Sequence, residues 1–183
     1  MALTVLLGGA RSGKSRLAVE LALDFGSPVT FLATGEARDS EMEARIAEHR
    51  AERPESWQTV EESHALEGAL LGIDSEHVVV VDCLSLWVAN LLERGDEPVE
   101  VLEAATRAAA LAAARRSLTI VVSNEVGLGV VPATPLGRTY RDLLGSVNRV
   151  WVGKSAVAAL VVAGRALPLS GARELLAPEA VPR

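Results

Sequence analysis

The sequence has a single cysteine, Cys83, among its 183 residues. One thiol excludes an internal disulfide, and chains without disulfides are typical of a reducing compartment, so we expect a cytoplasmic protein. Long apolar runs are also missing, because the Ala-rich stretch 104–114 contains Arg107 and is followed by Arg115 and Arg116. No run approaches the roughly 18 residues that a membrane-spanning helix needs, so the sequence predicts no membrane span.

Positive charge is scarce. The chain has 18 Lys and Arg residues against 24 Asp and Glu residues, a formal net charge of −6. Proteins that bind nucleic acid usually carry a basic patch, so neither a general nucleic-acid binder nor a DNA-handling ATPase is favoured, and we expect no nucleic-acid partner. The acidity does not exclude phosphate ligands, because helix N-termini bind phosphate mainly through backbone N–H groups.

Linkers, internal repeats and shifts in composition are absent too, and the length fits a single domain over residues 1–183. Apolar runs typical of strands alternate with segments of helical periodicity. The predicted strands are 3–7, 29–33, 57–60, 78–81, 118–122 and 156–163, and the predicted helices follow the first loop and then cover 39–50, 65–71, 84–92, 98–116 and 136–147. This alternation predicts an α/β fold with a mostly parallel central sheet and helices on both faces. Residues 174–183 are expected to form a loosely held tail.

One loop carries a phosphate-binding motif. Its residues match the Walker A pattern G-x-x-x-x-G-K-[ST] and are Gly8, Gly9, Ala10, Arg11, Ser12, Gly13, Lys14 and Ser15. Glycines let successive N–H groups surround phosphate oxygens, Lys14 adds positive charge, and the Ser15 hydroxyl can bind Mg²⁺. Because the motif lies between a predicted strand and a predicted helix, it indicates a P-loop nucleotide-binding protein. A later Gly153-Lys154-Ser155 lacks the upstream glycine and is interpreted as an ordinary turn.

Asp82 ends the run Val78–Val81, which has the form of a Walker B strand. A carboxylate in this position can hold Mg²⁺ directly or through water. The alternative is an aspartate that caps the next helix. With the Walker A motif upstream we favour the metal role.

His49 lies among arginines at the end of a polar predicted helix. A histidine in such a position is usually structural or neutral. It can also be a nucleophile, since a neutral imidazole attacks phosphorus and nearby arginines hold charged phosphates. The pattern alone leaves both interpretations open.

Four blocks of sequence resemble the bifunctional adenosylcobinamide kinase and adenosylcobinamide-phosphate guanylyltransferase family of cobalamin biosynthesis. The blocks span most of residues 3–148, in the order found in the family. They are Gly8–Arg16; Ala33-Thr34 with Glu41-Met42, Arg45-Ile46, His49-Arg50 and Arg53–Trp57; Val81–Val88 with Asn90–Leu92; and Ser123–Pro132 with Arg141–Leu143 and Val147-Asn148. The family usually continues through an Ala-rich stretch after the position of Asn148, where this chain has 149–155 instead.

The resemblance implies a RecA-like P-loop NTPase fold and two activities. The first phosphorylates the aminopropanol hydroxyl of adenosylcobinamide with ATP or GTP. The second transfers GMP from GTP onto that phosphate and releases pyrophosphate. His49 matches the guanylylated histidine of the family, and Mg²⁺ is the implied cofactor. The family also forms homo-oligomers, typically trimers, so a homo-oligomer is expected.

The resemblance also assigns nucleotide contacts by position. Besides the phosphate loop and Asp82 it implies two segments and one further glutamate: Thr34, Gly35 and Glu36; Arg50, Ala51, Glu52 and Arg53; and Glu61. Lys14 would neutralise charge in the transition state, and Ser15 with Asp82 would hold Mg²⁺. Glu36 and Glu61 could each accept hydrogen bonds from guanine, and which of them does so stays open. The segment Asn124–Gly127 is equally consistent with a substrate contact and with a structural loop.

Two alternatives remain. The chain could be a P-loop kinase or a guanylyltransferase that keeps only one of the two activities. A non-catalytic GTP-binding regulator is disfavoured, because the guanine-specificity motif Asn-Lys-x-Asp of switch GTPases is absent. A helix that carries His49 and moves could let one small site serve both reactions.

Overall fold

The computed structural model describes residues 3–26, 28–51 and 53–171. Within these ranges the chain forms seven strands and six helices, which alternate except that α5 follows α4 and β7 follows β6. In order they are β1 (Leu3–Gly8), α1 (Lys14–Asp24), β2 (Val29–Ala33), α2 (Ser40–Ala51), β3 (Gln58–Glu61), α3 (Leu66–Gly72), β4 (Val78–Asp82), α4 (Leu84–Arg94), α5 (Pro98–Ala114), β5 (Thr119–Asn124), α6 (Pro135–Lys154), β6 (Val157–Val162) and β7 (Arg165–Pro168). The predicted tail 174–183 lies outside the described residues.

All seven strands form one sheet in the order β3-β2-β4-β5-β1-β6-β7. The first six are parallel, and β7 pairs antiparallel with β6. The predicted, mostly parallel sheet is therefore confirmed. In the sequence prediction the last strand ended at residue 163 and β7 was missed, because its four residues are exposed and show no apolar pattern. Ala163 and Gly164, both with positive φ, make the tight turn of this hairpin.

Helices cover both faces of the sheet, as predicted. On one face Ala18 and Ala22 of α1 pack against strand residues such as Val80 and Ile120. On the other face α3 to α6 bury a larger core, centred on Trp87 of α4 and including apolar residues of α5 and α6. The buried β4 residues alternate between these two cores, as expected for a strand that is covered on both sides. No helix in the described ranges is both long and apolar enough to cross a membrane.

Helix α6 is longer than predicted. We expected it to end at Val147, but it continues to Lys154. Its buried stripe continues through Val147 to Trp151, which has no exposed surface, so burial of this side chain carries the helix on. The segment 153–155 is therefore not a separate turn, since Lys154 is the last helical residue and Ser155 is the C-cap.

A polar turn leads into α3. The Ser63 hydroxyl hydrogen-bonds the Nδ1 atom of His64, at 2.8 Å. The Glu62 carboxylate accepts the backbone N–H groups of His64 and Ala65, each at 2.8 Å. These two bonds lower the pKa of Glu62, and burial opposes them. The Glu62 carboxylate thus fixes the turn before α3, whose N-cap residue Ala65 makes no side-chain cap.

Candidate active site

The Walker A residues form a closed loop between β1 and α1. Gly13 has φ 94° and Arg11 has φ 55°, so the loop turns through two left-handed residues just before the helix. The Lys14 ammonium donates to the Gly9 carbonyl at 2.9 Å, and this side chain is 7% exposed. A Cβ on Gly8 would lie 2.4 Å from the Val161 carbonyl oxygen, so only glycine fits there. The backbone is thus shaped as phosphate binding requires.

Two neighbouring loops hold this phosphate loop in place. The Gly164 N–H of the β6–β7 turn donates to the Ser12 carbonyl at 2.8 Å. The Glu125 N–H, just past β5, donates to the Gly8 carbonyl at 3.0 Å. The missed hairpin therefore has a part in the site, because it supports the middle of the loop.

The other predicted site residues follow strand ends at the same edge of the sheet. Asp82 ends β4, Thr34 follows β2, and Glu61 ends β3 in register with Ala33. One strand, β5, lies between β1 and β4, so Asp82 is about 10 Å from the phosphate loop. The carboxyl edge of a parallel sheet is the usual place for ligand sites in α/β proteins.

His49 is brought to this edge by α2. Its Nδ1 atom lies 3.8 Å from Oδ2 of Asp82, with 40% of the histidine side chain and 12% of the aspartate side chain exposed. The two residues come from different elements, so only the fold makes them neighbours. The predicted nucleophile and the predicted metal ligand therefore face each other.

Helix α2 itself is loosely packed. Of its side chains that the structure describes, none is buried. Ile46 approaches Gly35, where a Cβ would lie 3.8 Å from the isoleucine Cδ1. At the helix end, Arg50 forms an ion pair with Glu61. A helix with so little buried surface has low local stability.

The last residue of α2 and the residues that follow it complete this side of the site. The Arg53 guanidinium stacks over the Phe31 ring, 3.3 Å from its centroid, a cation–π contact. Ala51 is the last residue of α2 and is exposed. Glu52, which the resemblance assigns to nucleotide binding, lies outside the described residues.

Glu36 lies in a polar cluster beside this edge. Its carboxylate pairs with Arg38 at 3.0 Å and lies 3.8 Å from His64 Nδ1. Hydrogen bonds from Ser63, and then from Arg38, hold the pKa of Glu36 below its ordinary value. The carboxylate is therefore ionised at neutral pH and can only accept hydrogen bonds.

Thr34 has no exposed surface. Its hydroxyl donates to the Cys83 carbonyl at 2.7 Å and accepts the Cys83 N–H at 2.8 Å. Both bonds hold the chain directly after Asp82. The structure thus buries Thr34 beneath this edge, where it holds the backbone that follows Asp82.

Asn90 of α4 belongs to a block of the family resemblance, but no structural role was predicted for it from the sequence. It is 4% exposed and donates to the carbonyls of Thr34, at 2.8 Å, and Ser63, at 3.2 Å. Its side-chain oxygen accepts from Arg38 at 2.9 Å. One buried amide therefore joins the segments after β2 and β3. The only signal in the sequence was a polar residue on the apolar face of a predicted helix.

The segment after β5 borders the phosphate loop on its other side. Residues 126–137 contain no charged side chain. Three of their aliphatic side chains are exposed, with Leu128 at 82%, Val130 at 94% and Val131 at 62%.

The donor set fits Mg²⁺ held together with a nucleotide. Ser15 is the second residue of α1, and Asp82 ends β4, so both present oxygen ligands at one sheet edge. Among the described residues no group of three or more His, Cys, Asp and Glu side chains could hold a metal by itself. Magnesium suits this arrangement, because it is usually bound by one or two protein ligands and completed by substrate phosphates and water.

One solved structure shares the fold over almost the whole chain. It is the flagellar accessory protein FlaH of Methanocaldococcus jannaschii, with a TM-score of 0.52 and 15% identity over 92% of this chain and 78% of that one. At this identity the likeness concerns the fold alone. The phosphate loop and the sheet order identify that fold as the RecA-like P-loop NTPase predicted from the sequence.

Relatives with similar sequences are more informative. Bifunctional adenosylcobalamin biosynthesis protein CobP of Pseudomonas aeruginosa is 42% identical over 168 residues, covering 91% of this chain and 96% of that protein. Bifunctional adenosylcobalamin biosynthesis protein CobU of Escherichia coli (strain K12) is 39% identical over 173 residues, covering 87% and 95%. Residues 4–169 match the family described as cobinamide kinase / cobinamide phosphate guanyltransferase. The chain belongs to the cobinamide kinase / cobinamide phosphate guanyltransferase family.

Proposed function

We propose that this protein catalyses two successive steps of adenosylcobalamin biosynthesis. It phosphorylates the aminopropanol hydroxyl of adenosylcobinamide with ATP or GTP, and then transfers GMP from GTP to the resulting phosphate. Membership of the family supports both activities. The observation that carries the proposal is the position of His49 beside Asp82, at the sheet edge that bears the complete phosphate loop.

In the kinase step the phosphate loop binds the nucleotide. Backbone N–H groups of 9–15 and the Lys14 ammonium stabilise charge on the β- and γ-phosphates as the γ-phosphoryl group moves. Ser15 and Asp82 would hold Mg²⁺, which when bound neutralises phosphate charge. The oxygen of the acceptor hydroxyl forms the new P–O bond while the bond to the β-phosphate breaks.

In the guanylyl step His49 is the nucleophile. Its Nδ1 atom faces Asp82, so we assign the attack to Nε2 on the opposite side of the ring. Nε2 bonds to the α-phosphorus of GTP, and pyrophosphate leaves. The phosphate of adenosylcobinamide phosphate then attacks the same phosphorus, and the P–N bond breaks to regenerate His49. The covalent step divides one hard displacement into two easier ones.

The base and phosphate contacts are assigned in the same way. Glu36 and Glu61 are the two carboxylates that could accept hydrogen bonds from guanine, and Arg50, Ala51, Glu52 and Arg53 would line the same side. Glu61 pairs with Arg50 and Glu36 pairs with Arg38, so both carboxylates are held near the edge. A Cβ on Gly35 would lie 3.1 Å from Cδ1 of Leu86 in α4, so a glycine here lets that side chain pack closely. Thr34 acts by positioning the chain after Asp82.

Both steps can use one site if α2 moves. No described side chain of α2 is buried, so a shift of this helix gives up little packing. His49 would then withdraw during phosphoryl transfer and return for guanylyl transfer. Crystals of the protein with and without GTP test this idea. Identical placement of α2 in both, with His49 far from the α-phosphate, would contradict it.

The decisive experiment detects the covalent intermediate. Wild type, His49→Ala and the control His77→Asn are incubated with Mg²⁺ and GTP labelled at the α-phosphate. His77 directly precedes β4 at the opposite edge of the sheet. Its Nδ1 atom hydrogen-bonds the Thr30 hydroxyl there, at 2.9 Å, so the His77→Asn variant should keep the label. We expect acid-labile, alkali-stable label on wild type and His77→Asn, and none on His49→Ala. An unlabelled wild type would leave only the kinase activity to be tested with cobinamide.

The remaining proposals concern the setting of the enzyme. We propose a cytoplasmic homo-oligomer, a trimer as in the family, with no nucleic-acid partner and Mg²⁺ as cofactor. Exposed aliphatic side chains on β6, β7 and the following residue, such as Val162 at 52%, Leu167 at 57% and Leu169 at 42%, suit contact with a second copy. Light scattering coupled to gel filtration gives the mass of the assembly, and a monomer would contradict the proposal.

A further inference from the structure

Glu125 stands at the centre of the functional edge of the sheet. It directly follows β5, the strand between the phosphate-loop strand β1 and the Asp82 strand β4. Its backbone N–H donates to the Gly8 carbonyl at 3.0 Å. The Glu125 backbone is therefore about one strand spacing, roughly 4.8 Å, from the start of the phosphate loop.

The backbone below Glu125 is fastened by a buried polar network. The Ser123 hydroxyl donates to the Asn148 side-chain oxygen at 2.6 Å, and the Asn148 amide donates to the Asn124 carbonyl at 3.0 Å. Asn148 belongs to α6 and is 4% exposed. Satisfied buried networks of this kind rigidify the backbone that they join.

The carboxylate of Glu125 is itself oriented. Its Oε1 atom accepts the Gly127 N–H at 2.6 Å. A Cβ on Gly127 would lie 2.9 Å from that oxygen, so the glycine allows the close turn. One carboxylate oxygen is thus used for orientation, and Oε2 is the atom left for chemistry.

Three other carboxylates of the described edge face an arginine or a histidine. Asp82 faces His49, Glu36 pairs with Arg38, and Glu61 pairs with Arg50. Glu125 has no ion pair within the described residues, and its side chain is only partly buried. A carboxylate that is oriented but not neutralised is suited to accept a proton.

We propose that Glu125 is the general base of the kinase step. This inference rests on the proposed function, because its substrate is the hydroxyl of the cobinamide arm. Glu125 Oε2 accepts the hydroxyl proton as the hydroxyl oxygen forms its bond to the γ-phosphorus. The bond from that phosphorus to the β-phosphate oxygen breaks, the nucleoside diphosphate leaves, and Glu125 later returns its proton to water.

The two activities should depend on Glu125 very differently. A hydroxyl must lose a proton on its way to a phosphate ester, so the kinase step gains from a base. The acceptor of the guanylyl step is a phosphate that is already ionised at neutral pH, and the first nucleophile there is His49. The guanylyl step therefore has no proton for Glu125 to remove.

The test compares Glu125→Gln, Glu125→Asp and the control Glu103→Gln, an exposed glutamate on α5. Glutamine keeps an oxygen that can accept the Gly127 N–H, so the loop should fold as before. Each variant is assayed for phosphorylation of adenosylcobinamide and, separately, for guanylyl transfer to supplied adenosylcobinamide phosphate. KM, kcat and the pH dependence of kcat are measured for both reactions.

For Glu125→Gln we expect the kcat of the kinase step to fall 100-fold or more, with KM values within about threefold of wild type. Guanylyl transfer should stay within about twofold. We expect wild-type kinase activity to fall at acid pH and this fall to disappear in Glu125→Gln, whereas Glu125→Asp should keep part of the activity. Kinase activity within threefold of wild type, or an equal loss of both activities, would overturn the assignment.

Failure of the proposed function looks different in the same experiment. If wild type itself does not phosphorylate adenosylcobinamide, the proposed kinase activity is wrong, and the role of Glu125 is wrong with it. If wild type does so and Glu125→Gln equals it, only the general base is wrong.

Discussion

Nδ1 of His49 lies 3.8 Å from Oδ2 of Asp82, although one residue is on an exposed helix and the other ends a buried strand. The contact couples the proposed nucleophile to the proposed Mg²⁺ ligand. A change at Asp82 should therefore lower both the kinase and the guanylyltransferase activity, whereas a change at Glu125 should lower the kinase activity alone.

We predict that Asp82→Asn lowers kcat/KM of both activities by about 100-fold. The substitution removes a negative charge that would hold Mg²⁺ against the phosphates and that faces His49. The measurement is a magnesium titration of each reaction, together with the rate of His49 labelling by GTP. The control is Asp142→Asn, an exposed aspartate on α6 with 67% of its side chain accessible. Labelling of Asp82→Asn at the wild-type rate would contradict the coupling.

Gly8 and Gly9 provide a matched pair for the shape of the phosphate loop. A Cβ on Gly8 would lie 2.4 Å from the Val161 carbonyl and 2.7 Å from the Ser12 hydroxyl, whereas a Cβ on Gly9 has nothing within 4 Å. Gly8→Ala should destabilise the fold by about 1–3 kcal/mol, since backbone must shift. Gly9→Ala should change stability by less than about 0.5 kcal/mol.

Thermal unfolding followed by circular dichroism checks this pair. The expected loss for Gly8→Ala corresponds to roughly 2–12 °C in a protein of this size. Equal melting temperatures for the two variants would show that the loop relaxes around the added methyl group.

Arg115 is expected to be a major stabilising residue at the opposite edge. It is 7% exposed and donates to the carbonyls of Leu70, Ile73, Asp74 and His77, at 2.6–3.2 Å. Burial lowers the pKa of Arg115. Arg115→Met should cost about 2–4 kcal/mol, because buried carbonyls lose a charged donor.

The neighbouring Arg116 is the control, since it forms only a surface ion pair with Glu76 at 3.0 Å. Arg116→Met should cost less than about 1 kcal/mol. Urea unfolding of both variants gives the comparison. Similar midpoints would mean that the carbonyls near Arg115 find other donors.

The stability of the protein should fall at alkaline pH because of Cys83. Burial raises the pKa of this thiol from 9.0 to about 11. Because the pKa is raised in the folded state, the contribution of the Cys83 thiol to the free energy of unfolding is complete below pH 9. It is lost as the pH rises towards 11. At pH 10 the loss in the free energy of unfolding is on the order of 1 kcal/mol. Burial also raises the pKa of Tyr140 from 10.0 to about 12, so its contribution begins to fall only above pH 10.

Urea unfolding between pH 8 and pH 10 measures this effect, with Cys83→Ala as the comparison. Wild type should lose stability over this range, and the variant should lose much less. A wild-type curve as flat as that of the variant would mean that the thiol is accessible to water. Slow reaction of native Cys83 with thiol reagents at pH 8 would be a second sign of burial.

Local patterns were enough to predict most of the elements. The runs at 3–7, 29–33 and 78–81 are short and mostly apolar, a pattern typical of strands covered on both faces. The structure confirms them as β1, β2 and β4. Where local signals were weak, the prediction failed. Strand β7 is short and exposed, and the end of α6 depends on Trp151 finding a place in the core.

The candidate site divides along the same line. The Walker A residues carry their geometry locally, since glycine spacing, Lys14 and the following helix suffice to define a phosphate loop. The importance of Asn90 could not be deduced from the sequence. Its partners Thr34 and Ser63 are far from it along the chain, and only the fold brings them beside it. The same holds for Glu125, whose neighbour Gly8 ends a strand that is adjacent in the sheet but distant in sequence.

The sequence by itself determined the phosphate loop, the alternation of strands and helices and, through its resemblance to known relatives, the family. Those features depend on short-range backbone geometry and on the periodicity of apolar residues. Only the tertiary structure decided that β5 lies between β1 and β4, so that Glu125 meets Gly8, and that α2 brings His49 to Asp82. Strand order is set by the packing of all helices on the sheet, a long-range balance of burial that no local pattern encodes.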